Sequence, residues 1–148
     1  RAHFLAPVFD LMGEGRILSI DDTPVEKLIE HPRITYLRRD PTDPQAAEEA
    51  REILGEKPRV LLILGAAKRP QLLKTFDLYS PLVPIGSYVV LEDTILNGHP
   101  VWTGFGPGPW EAVGEIESRG EFAADPELER YALTFNPHGF LRRHAQGG

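Results

Sequence analysis

The strongest constraint on the fold is the alternation of short apolar runs with longer amphipathic segments along most of the 148 residues. The apolar runs have the length of strands, and the amphipathic segments repeat apolar residues at helical spacing. This alternation is typical of βαβ units, in which helices cover a mainly parallel sheet, so we predict an α/β fold. The predicted strands are 16–20, 34–37, 60–64 and 88–91, and the predicted helices are 2–12, 24–30, 44–54, 70–79 and 109–119.

The run 60–64 is apolar throughout, as expected of a strand that helices cover on both faces, and we place it at the centre of the sheet. The last third of the chain differs in character. Residues 121–125 and 130–135 predict two strands joined by a short Pro-Glu-Leu-Glu connection, which indicates an antiparallel hairpin at the sheet edge. We predict one domain over residues 1–143, with a flexible tail at 144–148.

Composition excludes several classes of function. The chain has no cysteine, so thiol nucleophiles, thiolate metal sites and disulfides are excluded. Its 16 Lys and Arg residues against 22 Asp and Glu residues give a net charge of −6, which repels polyanions and argues against a nucleic-acid partner. The sequence has no apolar stretch of about 18 residues, so we expect no membrane span and take the cytoplasm as the default location.

The most informative segment begins at the predicted strand 88–91, which leads directly into Glu92 and Asp93. A loop rich in glycine and proline follows and ends in Gly-Phe-Gly-Pro-Gly-Pro at 104–109. Open α/β sheets bind ligands outside the carboxyl ends of their strands, so we expect these two carboxylates to meet a metal or a polar substrate. The alternative is a strand that ends in acids with only a capping role.

Three segments together carry a resemblance to a known family. They are Ser19-Ile-Asp21, the block from Val89-Val-Leu-Glu-Asp-Thr through Asn97-Gly-His-Pro-Val to Gly104-Phe-Gly-Pro-Gly-Pro109, and Leu133-Thr-Phe-Asn-Pro-His-Gly-Phe-Leu-Arg142. They resemble the cephalosporin hydroxylase family, also called rhamnosyl O-methyltransferase-like. The resemblance runs from about residue 16 to residue 143, and the middle block is its most specific part.

The resemblance implies a Rossmann-like class I methyltransferase sheet, mostly parallel, with a C-terminal antiparallel edge hairpin. It also implies S-adenosyl-L-methionine as the cofactor and methyl transfer to a hydroxyl of a sugar, glycolipid or secondary metabolite. The family's first strand lies in the middle of the sheet, and this sequence has no candidate for that strand or for its glycine-rich loop. Because a buried sheet seldom leaves backbone groups unpaired, we expect an upstream segment to supply them.

The resemblance also assigns cofactor-binding roles. Asp21 corresponds to the acid that hydrogen-bonds the ribose hydroxyls, a task that suits an ionised carboxylate, and Ser19 belongs to the same motif. Asp40 corresponds to a residue near the adenine, although Arg39 replaces the glycine usual beside it. The alternative for Asp21 and its neighbour Asp22 is a capping role for the predicted helix 24–30.

The metal site that relatives carry is incomplete here. Glu92 and Asp93 match two of its ligands, but Gly65 and Lys68 stand where an Asp and a His are usual. Two adjacent carboxylates alone are a weak Mg²⁺ site, since this ion prefers octahedral oxygen coordination. Lys68 could instead supply positive charge or act as a base. Asp93, Glu92 and His99 are the other candidates for the base that O-methylation requires.

Two functions therefore remain open: an O-methyltransferase, or a catalytically degenerate relative that acts as a binding or partner subunit. The second follows from Gly65 and Lys68. Trp102, Phe105 and Trp110 could stack on a sugar or could belong to the core. The expected partner is a small-molecule substrate, and the sequence leaves a homo-oligomer open. His138 is expected to have a structural role, in a turn after the last strand.

Overall fold

The computed structural model describes residues 2–22, 30–130 and 133–145, and it is an α/β structure with parallel and antiparallel strand pairs. The strands are β1 (Ile17–Ile20), β2 (Ile34–Leu37), β3 (Leu61–Leu64), β4 (Tyr88–Leu91), β5 (Phe122–Ala124) and β6 (Phe140–Arg143). The helices are α1 (Ala2–Met12), α2 (Pro44–Leu54), α3 (Arg69–Tyr79) and α4 (Pro109–Ser118), with 3₁₀ turns at Ser80–Leu82, Thr103–Phe105 and Pro126–Glu129. The chain divides into two compact units, Arg1–Gly55 and Glu56–Gly148.

In the first unit, β1 and β2 form a parallel pair with Ile17 opposite Ile34. The helix α2 has the predicted bounds, because Pro44 occupies its first turn and the side chain of Asp43 accepts a hydrogen bond from the N–H of Gln45. Most of the predicted helix 24–30 lies outside the described residues. The buried hydrophobic side chains described in this unit are all alanines: Ala6, Ala46, Ala47 and Ala50.

The helix α1 is confirmed at the predicted bounds, and polar contacts tie its end to the start of β2. Asp10 accepts hydrogen bonds from Nε of Arg33 (2.6 Å) and from Nε2 of His31 (3.1 Å). Arg33 also donates to the carbonyl oxygen of Gly15 (3.0 Å). These contacts join the last turn of α1 to the segment before β2, while Phe4 and Leu11 lie exposed.

The second unit contains a four-stranded sheet in the order β3-β4-β6-β5. The pair β3 and β4 is parallel, and both pairs made by β6 are antiparallel. Helices α3 and α4 pack on this sheet, where Phe76 meets Phe122 edge to face at 5.2 Å. The buried members of this core are Leu64, Leu72, Phe76, Val83, Val89, Leu91, Ala112, Val113, Ile116, Phe122 and Leu141.

The C-terminal antiparallel pair at the sheet edge is confirmed, but its last strand was predicted at the wrong residues. Residues 133–135 are not in a strand, Tyr131 and Ala132 lie outside the described residues, and the strand is instead Phe140–Arg143. The Asn-Pro-His-Gly turn therefore precedes this strand rather than following it. The strand β6 ends at Arg143. It is half-buried and donates to the carbonyl oxygens of Ser80 (3.2 Å) and Val83 (2.7 Å).

The central position predicted for the 60–64 strand is also wrong for the described sheet. The strand β3 lies at the end of the strand order, and Leu61 in this strand is 51% exposed. A short apolar run does not reveal how many neighbours its strand has, so sequence alone could not place it. Within the described ranges, every helix is too short or too polar to cross a lipid bilayer.

Candidate functional site

The candidate site lies at the carboxyl edge of the parallel pair β3 and β4. The N–H of Glu92 donates to the carbonyl oxygen of Leu64 (2.9 Å), which extends the strand pairing by one step. Gly65 and Asp93 therefore leave the sheet at the same edge. This is the position at which open α/β sheets bind ligands, as the sequence pattern suggested.

Asp93 has a left-handed backbone conformation that another segment holds in place. Its φ is 57°, and its N–H donates to Oδ1 of Asn136 (2.8 Å). The hydroxyl of the next residue, the buried Thr94, donates to the carbonyl oxygen of Pro137 (2.7 Å). The turn before β6 thus packs directly onto the acidic turn after β4 and fixes its conformation.

The loop after Asp93 folds back on itself before it reaches α4. The N–H of Val101 donates to the carbonyl oxygen of Ile95 (3.0 Å), and the N–H of Gly98 donates to that of Val101 (2.8 Å). The His99–Pro100 peptide bond is cis. We call residues 94–108 the site loop.

Glu111, in the first turn of α4, binds the site loop at three points. Its carboxylate accepts hydrogen bonds from Nδ2 of Asn97 (2.6 Å) and from the N–H of Gly108 (2.7 Å), and its Oε1 lies 3.4 Å from Nε2 of His99. Burial raises the pKa of this carboxyl, but these hydrogen bonds outweigh burial and lower the pKa to about 2. The carboxylate therefore remains ionised throughout the neutral range.

Sequence reasoning did not identify Glu111. One signal was available, since a glutamate at the third helical position often accepts from the N–H of the capping residue, here Gly108. The contacts with Asn97 and His99 span 14 and 12 residues and depend on how the site loop folds.

The site loop and its neighbours make two separate groups of aromatic contacts, one around Trp110 and one around Trp102. The imidazole of His99 stacks on the indole of Trp110, with 4.5 Å between ring centroids and 13° between planes. His138 meets the same indole edge-on at 5.2 Å. Trp102 is 66% exposed and contacts Phe105 edge to face at 5.3 Å. Trp110 is thus a packing residue for two histidines, whereas Trp102 presents surface to solvent.

Lys68 holds the far end of the site loop. Its Nζ donates to the carbonyl oxygen of Phe105 and lies 4.0 Å from the centroid of that residue's ring. The next N–H, of Arg69, donates to the carbonyl oxygen of Pro107 (3.0 Å). The start of α3 and the Gly-Pro segment are therefore joined by main-chain and side-chain contacts.

The geometry gives no support to a magnesium site. In the residues that the structure describes, no three His, Asp or Glu side chains are grouped so that they could hold a metal ion. The assignment of Glu92 and Asp93 as metal ligands remains a prediction from the sequence.

The three predicted cofactor-binding residues lie in the first unit. Asp21 follows β1 directly, is exposed, and donates its N–H to the carbonyl oxygen of Leu37 (3.2 Å). Ser19 lies within β1 and is half-buried. The side chain of Asp40 accepts from the N–H of Thr42 (2.7 Å) in an exposed turn. An exposed carboxylate directly after a parallel strand fits the chemistry of a ribose diol, which needs a double acceptor.

Comparison with known proteins places the chain in a family. A family model described as Rhamnosyl O-methyltransferase/CmcI matches residues 2–144. The chain belongs to this family. The resemblance that the sequence motifs suggested is thereby confirmed.

Individual relatives agree with the family match. Proteins named rhamnosyl O-methyltransferase from Mycobacterium tuberculosis and Mycobacterium bovis are 36% identical over 154 aligned residues, which cover 97% of this chain and 62% of theirs. The protein of that name from Mycobacterium leprae is 35% identical over 150 residues, covering 96% of this chain and 66% of its own. The chain thus spans about two thirds or less of the length of these relatives.

Proposed function

We propose that this protein is an S-adenosylmethionine-dependent O-methyltransferase that acts on a sugar hydroxyl. Family membership and the names of the mycobacterial relatives support the reaction class and the sugar. The observation that carries the proposal is the fixed imidazole of His99. It lies in the site loop at the carboxyl edge of β4, stacked on Trp110 and hydrogen-bonded to Glu111.

The cofactor would be held by residues of the first unit. Asp21 accepts hydrogen bonds from the ribose hydroxyls in this proposal, and Ser19 and Asp40 contribute near the same ligand. S-adenosylmethionine supplies an electrophilic methyl group, and its sulfur keeps the bonding electrons when that methyl group leaves. The chain's own tasks are alignment and proton removal.

We propose His99 as the base that accepts the hydroxyl proton as the new O–C bond forms. Lys68 is less suited to that role, because its Nζ donates to the Phe105 carbonyl oxygen and so acts as a structural cation. Asp93 remains the second candidate base, since the acidic turn leaves the sheet at the same edge.

The exposed indole of Trp102 is suited to the acceptor. An aromatic face can stack on the C–H face of a sugar ring and bury large area at low entropic cost. Trp102 itself has a left-handed backbone conformation, with φ of 44°. Such a conformation persists only where the surrounding structure specifies it, so the fold sets the backbone position of Trp102. We therefore place the sugar ring against Trp102; glycolipids and glycosylated secondary metabolites would both present such a ring.

Calorimetric titration of S-adenosylmethionine and its demethylated product into the full-length protein tests the cofactor proposal. We expect saturable binding that Asp21→Ala weakens by tenfold or more, roughly the value of a charge-assisted hydrogen bond. The matched control is Asp22→Ala, which removes the neighbouring exposed carboxylate. Equal losses in both variants, or no binding by the wild type, would refute the proposed role of Asp21.

Methyl transfer is measured separately, with isotope-labelled cofactor and rhamnosyl glycosides as acceptors, with and without Mg²⁺. We expect a methylated sugar and a loss of turnover in His99→Gln. A protein that binds the cofactor and transfers no methyl group would favour the second function, a degenerate binding subunit. The observation behind that alternative is that Gly65 and the loop-holding Lys68 replace the usual Asp and His.

A further inference from the structure

The contact between Glu111 and His99 favours one of the two neutral tautomers of the imidazole. In a neutral imidazole, one nitrogen is a donor and the other is an acceptor. An ionised carboxylate can only accept hydrogen bonds. Because Nε2 of His99 lies 3.4 Å from Oε1 of Glu111, the favourable arrangement has the hydrogen on Nε2 and the lone pair on Nδ1.

The other two hydrogen bonds of Glu111 keep its carboxyl ionised, and an ionised carboxyl has no hydrogen to donate to His99. Its two oxygens already accept from the amide of Asn97 and the N–H of Gly108, at 2.6 Å and 2.7 Å. Both groups donate a hydrogen to the carboxyl here, so they stabilise its charged form. Stacking on Trp110 restrains the imidazole further, because the ring stays nearly parallel to the indole plane.

We propose that Glu111 is a positioning residue that holds His99 as the Nε2–H tautomer and leaves Nδ1 as the nitrogen that accepts the proton of the acceptor hydroxyl. The tautomer assignment rests on the contacts of an ionised Glu111 carboxylate, and the role of Nδ1 rests on the proposed function. During methyl transfer, the hydroxyl proton moves to Nδ1 as the oxygen bonds to the methyl carbon. The resulting imidazolium keeps its Nε2–H bond to Glu111, whose negative charge stabilises it.

Glu111 also closes the site loop onto α4, so loss of activity alone would not separate positioning from folding. The readout must report on the tautomer. The ¹⁵N chemical shifts of histidine ring nitrogens distinguish protonated from unprotonated nitrogen, and they can be recorded on the protein without cofactor or substrate. The chain has five histidines, and the signals of His99 are those lost in His99→Gln.

The experiment compares wild type, Glu111→Gln and Glu115→Gln at a pH where His99 is neutral. Glu115 lies one turn further along α4 and contacts Arg69 and Arg119, so it is a charge-matched control. We expect the Nε2–H tautomer in wild type and Glu115→Gln. In Glu111→Gln the new side-chain amide can donate to Nε2, and we expect the Nδ1–H form to rise.

Two results would overturn the proposal. One is an Nδ1–H tautomer of His99 in the wild type, a result that does not require Glu111→Gln to fold. The other is an unchanged tautomer population in folded Glu111→Gln. Kinetics then test the role of Nδ1: we expect kcat to fall roughly tenfold or more with KM for the acceptor little changed, as when the partner that orients a functional imidazole is lost. Absence of methyl transfer in the wild type would refute the proposed function and leave the tautomer assignment standing.

Discussion

Four residues with side chains have left-handed backbone conformations in the described structure: Asp93, Asn97, Trp102 and His138. All of them lie in the acidic turn, the site loop or the turn that packs on it. Such conformations cost free energy and persist only where surrounding contacts specify them. Here the hydrogen bond from the Asp93 N–H to Asn136 and that from Asn97 to Glu111 supply those contacts.

The conformation of Asp93 makes a prediction that reverses the usual order of two substitutions. At a φ of 57°, alanine pays the left-handed penalty and glycine does not. We expect Asp93→Gly to be more stable than Asp93→Ala by about 1 kcal/mol in chemical denaturation. At Glu92, which continues the β4 pairing, the same pair of substitutions should show the opposite order. Equal stabilities at position 93 would contradict the assigned backbone conformation.

The carboxyl of Glu111 predicts a stability difference that depends on pH. Its pKa falls from 4.5 to about 2 in the folded chain, so its contribution is complete above pH 4.5 and is lost as the pH falls towards 2. The free energy gap between wild type and Glu111→Gln should therefore shrink by about 1 to 2 kcal/mol from pH 7 to pH 3. Urea denaturation at both values measures it.

Other acids do not disturb this comparison. The Arg33 hydrogen bond lowers the pKa of Asp10, and the Tyr88 hydroxyl lowers the pKa of Asp125. Wild type and Glu111→Gln both contain these two acids, so their contributions cancel in the difference between the two proteins. A gap that stays constant between pH 7 and pH 3 would show that the Glu111 carboxylate gains nothing from its three donors.

At the scale of elements, the turn Asn136–Gly139 joins the antiparallel strand β6 to the end of β4. The N–H of Leu91 donates to the carbonyl oxygen of Gly139 (2.9 Å), and a Cβ at position 139 would lie only 2.4 Å from the carbonyl oxygen of Leu91. Only glycine permits this approach of two backbones. The turn is therefore part of the sheet's construction as well as of the site.

Gly139→Ala should destabilise the protein by about 2 to 3 kcal/mol, because the added methyl group forces two backbone segments apart. Gly114→Ala is the matched control. Gly114 lies in α4 with no atom within 4 Å of the added carbon, so the same change should stabilise by roughly 0.5 to 1 kcal/mol through helix propensity. Thermal unfolding of both variants measures the contrast. A neutral Gly139→Ala would refute the close approach.

Helices and strands whose bounds depend on neighbouring residues could be predicted from the sequence. A strand whose position depends on pairing with distant residues could not. The bounds of α2 follow from Asp43 and Pro44, and β4 was predicted at its observed bounds. The strand β6 was missed because its sequence, Phe-Leu-Arg-Arg, has half charged residues. Its place is set by pairing with β4 and β5, far away in the chain.

In the candidate site, too, local features could be predicted from the sequence and contacts between distant residues could not. Sequence reasoning placed Glu92 and Asp93 at the end of a strand, since a strand and the loop after it are local features. It could not identify Asn136 as the partner of the Asp93 N–H, because those residues are 43 positions apart. It also missed the pairing of Glu111 with His99, which depends on the path of the site loop.

At the scale of the whole molecule, the two units differ in the side chains they bury. Among the described residues, the unit Arg1–Gly55 buries only alanines as hydrophobic side chains, whereas Glu56–Gly148 buries leucine, valine, isoleucine and phenylalanine. Larger apolar side chains contribute about 1.5 to 3 kcal/mol each on burial, so the second unit has the stronger source of stability. The second unit also contains both tryptophans of the chain, Trp102 and Trp110.

This asymmetry predicts two separate unfolding transitions in urea. Far-ultraviolet circular dichroism reports on helices of both units, whereas tryptophan fluorescence reports only on Glu56–Gly148. We expect the dichroism signal to begin its loss at lower urea, with the fluorescence change following at a higher midpoint. Ala50→Gly, which opens a small cavity at a buried position of α2, should move only the earlier transition.

Trp102→Phe separates the two fluorescence signals, because the remaining Trp110 packs between His99 and His138 and reports on the site itself. The midpoint of the Trp110 fluorescence change in urea should coincide with the later transition. Superimposable dichroism and fluorescence curves would instead show one cooperative unit, since coincidence of independent probes is the test of two-state unfolding. In that case Ala50→Gly would shift both curves together, and the stability of the site would depend on the small alanine core of the first unit.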